Sequence, residues 1–375
     1  MFTDPLTEAI AEAEKLVTAA PHIQTEADLL EGLQYLAGGI AACTHLAFNY
    51  DRDHPFFLSG TGPFTKMGLD NPDTLYFGAR VHPDHEYVVT GTRGSTTDLS
   101  FQLLGGEYTD EGVPKSEAAF DDRELDIADD GAFEWRVRPS TAAQLVVREV
   151  YGDWSQRRGS ITIRREDTAG TAPPPLARDT LEKRYATAGK QLVQRIKTWL
   201  QFPQWFYLNI PVNTLVPPRL TPGGLATQYS SVGHFDLTPD QALVITVPQS
   251  DAPYLGFQLG SMWYISLDYV NHQTSLNAAQ AQADPDGKIR IVVADRNPGV
   301  TNWVETLGHR RGFLQFRWQR VSRELTEADG PTAEVVDFDG IAAALPYYEG
   351  NKITEQDWRV RIAERQHAIA SRMLG

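Results

Sequence analysis

The densest grouping of chemically capable side chains is Asp268-Tyr269-x-x-His272-Gln273-x-Ser275-x-Asn277-x-x-Gln280. It follows a strand-like run and precedes the Asp286-Gly287 turn, and loops carried on a rigid β scaffold are where binding and catalytic groups tend to sit. On this reading Asp268 and His272 form a titrating pair. Tyr264 or Tyr269 serves as proton donor or orienter, and Ser275, Asn277 and Gln280 contact substrate. The competing reading makes Asp268 and Asn277 turn formers and leaves His272 merely exposed.

A second grouping runs Asp295-Arg296-Asn297-Pro298, then Asn302-Trp303-x-Glu305-x-x-x-His309. Asp295 and Asn297 beside Pro298 and Gly299 read first as turn residues. Glu305 and His309 lie four apart, so on a helical turn they would share one face, as a surface ion pair before an acid/base pair. With Trp303 they complete the expected substrate contacts. A simple antiparallel meander would send the two loops to opposite sheet ends, and only a jelly-roll crossing or a subunit interface would reunite them.

A third grouping, Asn71, Asp73 and Tyr76, follows the second helical segment with its His45, Asn49 and Asp51. Asn-Pro-Asp is foremost a turn, with substrate positioning as its functional use. His82-Pro83-Asp84-His85 lacks the further ligands that a metal site needs, so no metal is expected. No glycine-rich dinucleotide fingerprint, phosphate loop, Gly-x-Ser-x-Gly elbow or His-Glu-x-x-His occurs, and no cofactor is expected. The run Trp199, Phe202, Trp205, Phe206, Tyr207 could stack on sugar or sterol faces, but rings where a helix meets a sheet read first as core.

The elements that must position these groups are mostly strands. Strand-like runs at 74–80, 87–92, 99–104, 133–138, 144–151 and 160–165 form a first β unit over residues 51–167. Runs at 225–233, 242–247, 254–265, 288–294 and 312–318 form a second over 202–323. Between them, residues 168–175 contain three consecutive prolines and read as a linker, followed by a helix to about residue 201. Helices also fill residues 1–50, the first capped by Asp4-Pro5 and the second by Thr25 with Asp28 in the capping-box position. Gly38-Gly39 either weakens the second helix or permits close packing. The tail, 324–375, reads as a short helix around 332–345 and a final helix capped by Thr354. The fold class is mainly β with flanking helices, in two antiparallel β-sandwich or jelly-roll-like units.

The second unit carries Gly233-His234-Phe235-Asp236-Leu237, Asp240-Gln241-Ala242-Leu243-Val244, Tyr254-Leu255-Gly256-Phe257-Gln258-Leu259, Tyr264-Ile265-Ser266-Leu267-Asp268-Tyr269, Asp284-Pro285-Asp286-Gly287 and Asn302-Trp303. In order and spacing it resembles the bacterial domain of unknown function 1214 over residues 225–323. Asn71-Pro72-Asp73-Thr74-Leu75-Tyr76 and Ser100-Phe101-Gln102-Leu103 resemble a shortened form of its companion, domain of unknown function 1254, over about 45–165. The resemblance implies two β-sandwich or jelly-roll-like units and a homo-oligomer. It assigns no chemistry and no catalytic residue.

Composition bounds the rest. The 375 residues carry 49 acidic and 34 basic side chains, a formal charge of −15, which repels phosphate backbones and anionic headgroups. No nucleic acid and no membrane partner is expected. Cys43 is the single cysteine, so neither an intrachain disulfide nor a cysteine zinc site can form, and its apolar helix face makes it structural. The opening residues lack the basic start and apolar stretch of a secretion signal, so a cytoplasmic location is expected. The functional expectation is an acid/base enzyme, a hydrolase or lyase/isomerase, acting without a nucleotide cofactor on a largely uncharged metabolite such as a sugar, terpenoid or sterol-like molecule. The alternative is a non-catalytic carbohydrate- or lipid-binding module or an oligomeric scaffold.

Overall fold

Two helices open the chain, α1 (Asp4–Thr18) and α2 (Glu26–Asn49), in a computed structural model that describes residues 1–221 and 224–374. Thr3, not Asp4, precedes the first helix; Asp4 lies in its first turn, where its carboxylate takes the Met1 amino group. The capping box of α2 forms as its residues require. Asp28 N donates to the Thr25 hydroxyl at 3.2 Å and Thr25 N to the Asp28 carboxylate at 2.9 Å.

The first β unit comprises β1 (Thr74–Arg80), β2 (Tyr87–Thr92), β3 (Asp98–Gly105), β4 (Lys115–Asp121), β5 (Ala132–Val137), β6 (Gln144–Val150) and β7 (Ser160–Arg165). They pair antiparallel as two sheets, β1-β6-β3-β4 and β5-β2-β7. Phe101, Leu103, Leu145 and Val147 from one sheet pack against Tyr87, Val89, Phe133 and Ile163 from the other, which makes the unit a sandwich. Burying each such side chain contributes about 1.5–3 kcal/mol.

The chain then enters α3 (Arg178–Phe206), which runs five residues past the expected end and carries Pro203 in its last turn. The second unit holds β8 (Thr214–Leu215), β9 (Arg219–Leu220), β10 (Tyr229–Asp236), β11 (Gln241–Pro248), β12 (Tyr254–Gly260), β13 (Ser275–Asn277), β14 (Lys288–Ala294), β15 (Trp303–Glu305), β16 (Arg311–Gln319) and β17 (Thr332–Asp337). One sheet runs β13-β12-β16-β10-β8, with β9 also on β10, and the other β15-β14-β11-β17. Phe257, Leu259, Leu314, Phe316 and Trp318 of the first face Leu243, Ile245, Ile289, Ile291 and Val293 of the second. The architecture is mainly β with flanking helices.

Three local expectations need correction. Residues 332–337 form β17, antiparallel to β11, not a helix, and the helical part shrinks to α4 (Ile341–Ala344). Thr332, Val335 and Val336 favour a strand, and β11 offers them an edge. The run 254–265 stops at Gly260, where the chain turns and Tyr264 takes a left-handed φ of 57°. Successive strands of the second unit also pass between its two sheets, so the simple meander is wrong. The final helix α5 (Glu355–Leu374) starts at Thr354, whose hydroxyl accepts from Asp357 N at 3.1 Å. Gly38 and Gly39 serve close packing: a Cβ at Gly38 would stand 2.7 Å from the Phe64 carbonyl oxygen, and one at Gly39 3.1 Å from the Leu192 side chain.

Candidate ligand-binding cavity

A cavity of about 330 Å³ lies where the two sandwiches meet α3. Tyr76, Val146 and Arg148 of β1 and β6 form one wall, and Ser230, Val232, Gln315 and Arg317 of β10 and β16 the opposite one. Trp199, Phe202 and Phe206 of α3 close a side; these rings are core to one another and wall to the cavity at once. Cys43 and Leu46 come from α2. Most of the lining is apolar, with a few convergent polar groups, the usual composition of a small-molecule site.

Strand alternation places the polar groups. On β16, Leu314, Phe316 and Trp318 point into the sandwich core, so Gln315, Arg317 and Gln319 face the other way, toward the first unit. There the Tyr264 hydroxyl donates to that of Tyr207 at 3.0 Å, and Tyr207 donates to Gln315 Oε1 at 3.0 Å. Burial pushes Tyr207 up to about 12 and Tyr264 well above the usual phenol value, so both are neutral hydrogen-bond donors at physiological pH. Arg317 donates to Gln258 Oε1, to the Leu69 carbonyl at 2.6 Å and to Gln315 Oε1 at 2.9 Å. Tyr264 and Leu69, at φ 57° and 50°, sit side by side in strained backbone, tied by a 2.7 Å bond from Leu69 N to the Tyr264 carbonyl. Strain of this kind clusters at functional sites.

Of the residues expected to work chemically, Tyr264 and Tyr76 reach this cavity. Asp268, Tyr269, His272, Ser275 and Asn277 do not. Asp268 is a turn former: it accepts Val270 N at 3.0 Å, Asn271 N at 3.1 Å and the Asn271 side chain at 2.9 Å. Burial opposes its ionisation, yet those bonds hold it below the usual carboxylate range. His272 pairs across to Glu305 at 2.8 Å instead of with Asp268. The crossing between sheets thus reunites the two loops: Glu305 N donates to the Gln273 carbonyl and Gln273 Nε2 to the Thr301 and Trp303 carbonyls. Glu305 ends a strand, so it shares no helical face with His309, whose Nε2 meets Glu31 of α2 at 3.3 Å. Trp303 is core: its indole bonds the Ala294 carbonyl at 2.8 Å and its ring packs on Trp358.

Asn71 and Asp73 join the units. The Asp73 carboxylate accepts Trp154 Nε1 at 2.5 Å, the Tyr254 hydroxyl at 2.8 Å and Asn277 Nδ2 at 3.1 Å, and Asn71 Nδ2 donates to the Tyr254 hydroxyl at 2.8 Å. Over this hub α5 lays two buried arginines. Arg365 donates to the carbonyls of Tyr269 and Ser275 and to the Ser275 hydroxyl, and Arg372 to the Pro72 carbonyl. Both guanidinium groups stand over Trp154, at 4.5 and 4.4 Å from the ring centre. Gln280 lines a second cleft, beside α5, with its carbonyl taken by Arg361. These bonds account for the polar residues of the 268–280 segment as structural parts.

Other charged clusters are internally balanced. Asp98, Asp121 and Asp122 converge, but Arg93 and Arg320 meet Asp122 at 2.8 and 3.1 Å, and Arg123 meets Asp121 at 2.6 Å. His85 meets Asp167 at 3.2 Å and His82 the Pro83 carbonyl at 2.7 Å. Sequence reading missed Arg148, Gln315 and Arg317, and read Tyr207 first as core. For Gln315 and Arg317 the one signal was the strand Arg311–Gln319, where Gln and Arg alternate with large apolar residues.

No family model matches the chain, and no curated protein matches it. Among solved structures it is similar to an uncharacterised protein of Burkholderia cenocepacia, at 28% identity over 91% of this chain and 96% of that one, with a TM-score of 0.81. A protein of Vibrio parahaemolyticus aligns over 88% of this chain and all of its own at 11% identity, with a TM-score of 0.42, too low to carry an argument. The first likeness extends the two-sandwich fold to a second sequence.

Proposed function

We propose that the chain takes a small, largely apolar organic molecule into the cavity between its two sandwiches, with the Tyr264–Tyr207 pair as the group that hydrogen-bonds it. The observation that carries this reading is the convergence of buried phenols, amides and strained backbone on an otherwise apolar cavity. Both phenol protons are used within the pair, so a ligand carbonyl oxygen would receive the Tyr264 proton by replacing Tyr207 as its acceptor, and that O–H could then stabilise negative charge that develops there. That supports an acid/base enzyme of lyase/isomerase or hydrolase type working through Tyr264 and not through Asp268 and His272.

A second reading, a non-catalytic binding module, draws on the rest of the lining. It contains no histidine, Asp70 is held by Ser266 and Glu107 by Arg80, so a free base is absent among the described lining residues. The strongly acidic surface favours a cytoplasmic small-molecule role without nucleic-acid or membrane partners. Among the described residues no helix is long and apolar enough to cross a membrane.

The test uses a neutral fluorescent probe, 1-aminoanthracene. Wild type should bind it, and Val146→Trp, which fills the cavity from β6, should lose it while keeping its unfolding midpoint. Unchanged binding in a folded Val146→Trp protein sinks the cavity reading. Tyr264→Phe should retain the probe and abolish any turnover found in a substrate screen; turnover that survives Tyr264→Phe removes the tyrosine from the chemistry.

A further inference from the structure

The cavity is electrically unlike the protein that surrounds it. The chain carries a formal charge of −15, yet the lining holds Arg80, Arg148, Arg195, Arg219 and Arg317, of which only Arg80 is in ion-pair contact with a carboxylate among the described residues. The two carboxylates of the lining are committed elsewhere. Glu107 pairs with Arg80, and the Asp70 oxygens accept Ser266 N at 3.2 Å and the Ser266 hydroxyl at 2.9 Å. Burial moreover pushes the Asp70 carboxyl up, toward its neutral form.

Of the four unpaired guanidinium groups Arg219 is exposed, and the other three are not equally occupied. Arg317 is spent on three oxygen acceptors, as described above. Arg195 donates to the Thr65 and Lys66 carbonyls at 3.0 and 2.6 Å. Arg148 is half-buried and gives a single bond, from Nη1 to Gln102 Oε1 at 2.9 Å. Its register partner on β1 is Tyr76, also in the lining, whose oxygen accepts Asn71 N at 2.9 Å and whose own proton has no acceptor in the described protein. A planar fork with spare N–H groups beside a spare phenolic O–H matches the two oxygens of a carboxylate. Leu46, Leu104, Val146, Trp199 and Phe202 supply apolar wall for the body of a ligand.

We propose that the ligand of this cavity is an amphipathic monocarboxylate, its carboxylate docked on Arg148 and the Tyr76 hydroxyl and its apolar body along the α3 rings. The inference rests on the cavity reading and refines it: the metabolite is uncharged over its body but anionic at one end. A carboxylate fits this pair better than a phosphate ester, because one guanidinium and one neutral phenol match the single charge and two oxygens of a monoanion and supply too little charge for a dianion.

Two homologous probe series separate this claim from the one beneath it: straight-chain carboxylates from hexanoate to dodecanoate, and the primary alcohols of the same lengths, titrated calorimetrically into the full chain. A charge-assisted bond to Arg148 is expected to make each carboxylate roughly ten- to a hundredfold tighter than its alcohol. In Arg148→Gln the advantage should collapse while alcohol affinity stays within roughly twofold, and Arg148→Lys, which keeps the charge but loses the fork, should retain part of it. If both series bind wild type alike, the carboxylate inference is overturned and the cavity reading stands. If neither series binds, both fall. The wild-type comparison decides the matter even if Arg148→Gln does not fold.

Discussion

Two histidines with opposite electrostatic settings sit within reach of α2, and each sets a pH dependence of its own sign. His22 packs edge-on against the Trp263 ring, 4.3 Å between centres, and burial lowers its pKa to about 4 despite Asp28 nearby. Its folded pKa lies below the unfolded value of about 6.5. The stability it confers is therefore full above pH ~6.5 and is lost as pH falls toward 4, where the unfolded chain takes up a proton that the folded one refuses. For His309 burial acts the same way, but the Glu31 hydrogen bond and charge outweigh it and raise the pKa above its usual value. Its contribution is full below pH ~6.5 and fades as pH rises through the folded pKa. His309→Gln should therefore cost about 1 kcal/mol in urea melts at pH 6 and much less at pH 9. His22→Gln should flatten the acid side of the stability profile. Equal destabilisation by His309→Gln at both pH values would show that the Glu31 contact carries no charge.

At the scale of elements, α5 is a fastener more than a tail. Arg365, 3% exposed, reaches from it to the loop before β13 and lies over Trp154 of the first unit, and burial lowers its pKa to about 9. Arg365→Ala strands the Tyr269 and Ser275 carbonyls and empties the space above Trp154, so a loss of about 3 kcal/mol is expected in urea denaturation. Arg359→Ala, which removes an exposed pair with Glu355 on the same helix, should change less than about 0.5 kcal/mol. A comparable cost for the two would show that α5 is held by its surface and not by its buried arginines. Elements also mark the limit of what the chain discloses before folding. The capping boxes, the strands 160–165 and 288–294 and the two-sheet pairing follow from local residue types, because caps, β-branched runs and Gly or Pro breaks act within a few residues. β4 escaped notice because Lys-Ser-Glu-Ala-Ala-Phe-Asp lies half-exposed at a sheet edge with little hydrophobic alternation. The cavity escaped for the converse reason. Gln315, Arg317 and Gln319 alternate with Phe316 and Trp318 as a solvent-facing row would, and only the distant first unit and α3 turn that row inward. The Asp268–Gln280 segment is ambiguous in sequence because turn bonds, an inter-loop histidine–carboxylate contact and hydrogen bonds to arginines use the same polar side chains as catalysis does.

At the scale of the whole molecule, the two sandwiches share too much to behave as beads on a string. The stretch 169–177, which overlaps the linker read in sequence at 168–175, lies largely exposed, without helix or strand. Across that boundary, however, Asp73 of the first unit binds Tyr254 and Asn277 of the second, Arg317 of β16 binds the Leu69 carbonyl, and Arg320 meets Asp122 at 3.1 Å. The α1, α2 and α3 core also encloses Trp263 and Ile265, which belong to the second unit. Separating the halves would expose the buried Asp73 carboxylate and the buried Arg317 together with the cavity walls, a cost far above that of opening an exposed loop. A protease site inserted between Thr171 and Ala172 should accordingly be cut readily, because the backbone there is free of regular pairing. The nicked protein should still elute as one species and unfold in one transition, with a midpoint lowered only by the entropy of the extra chain ends. It should also keep its affinity for the cavity probe. Elution of two independently folded fragments, or two resolved transitions by differential scanning calorimetry, would mean that the inter-unit bonds around Asp73 and Arg317 contribute little in solution.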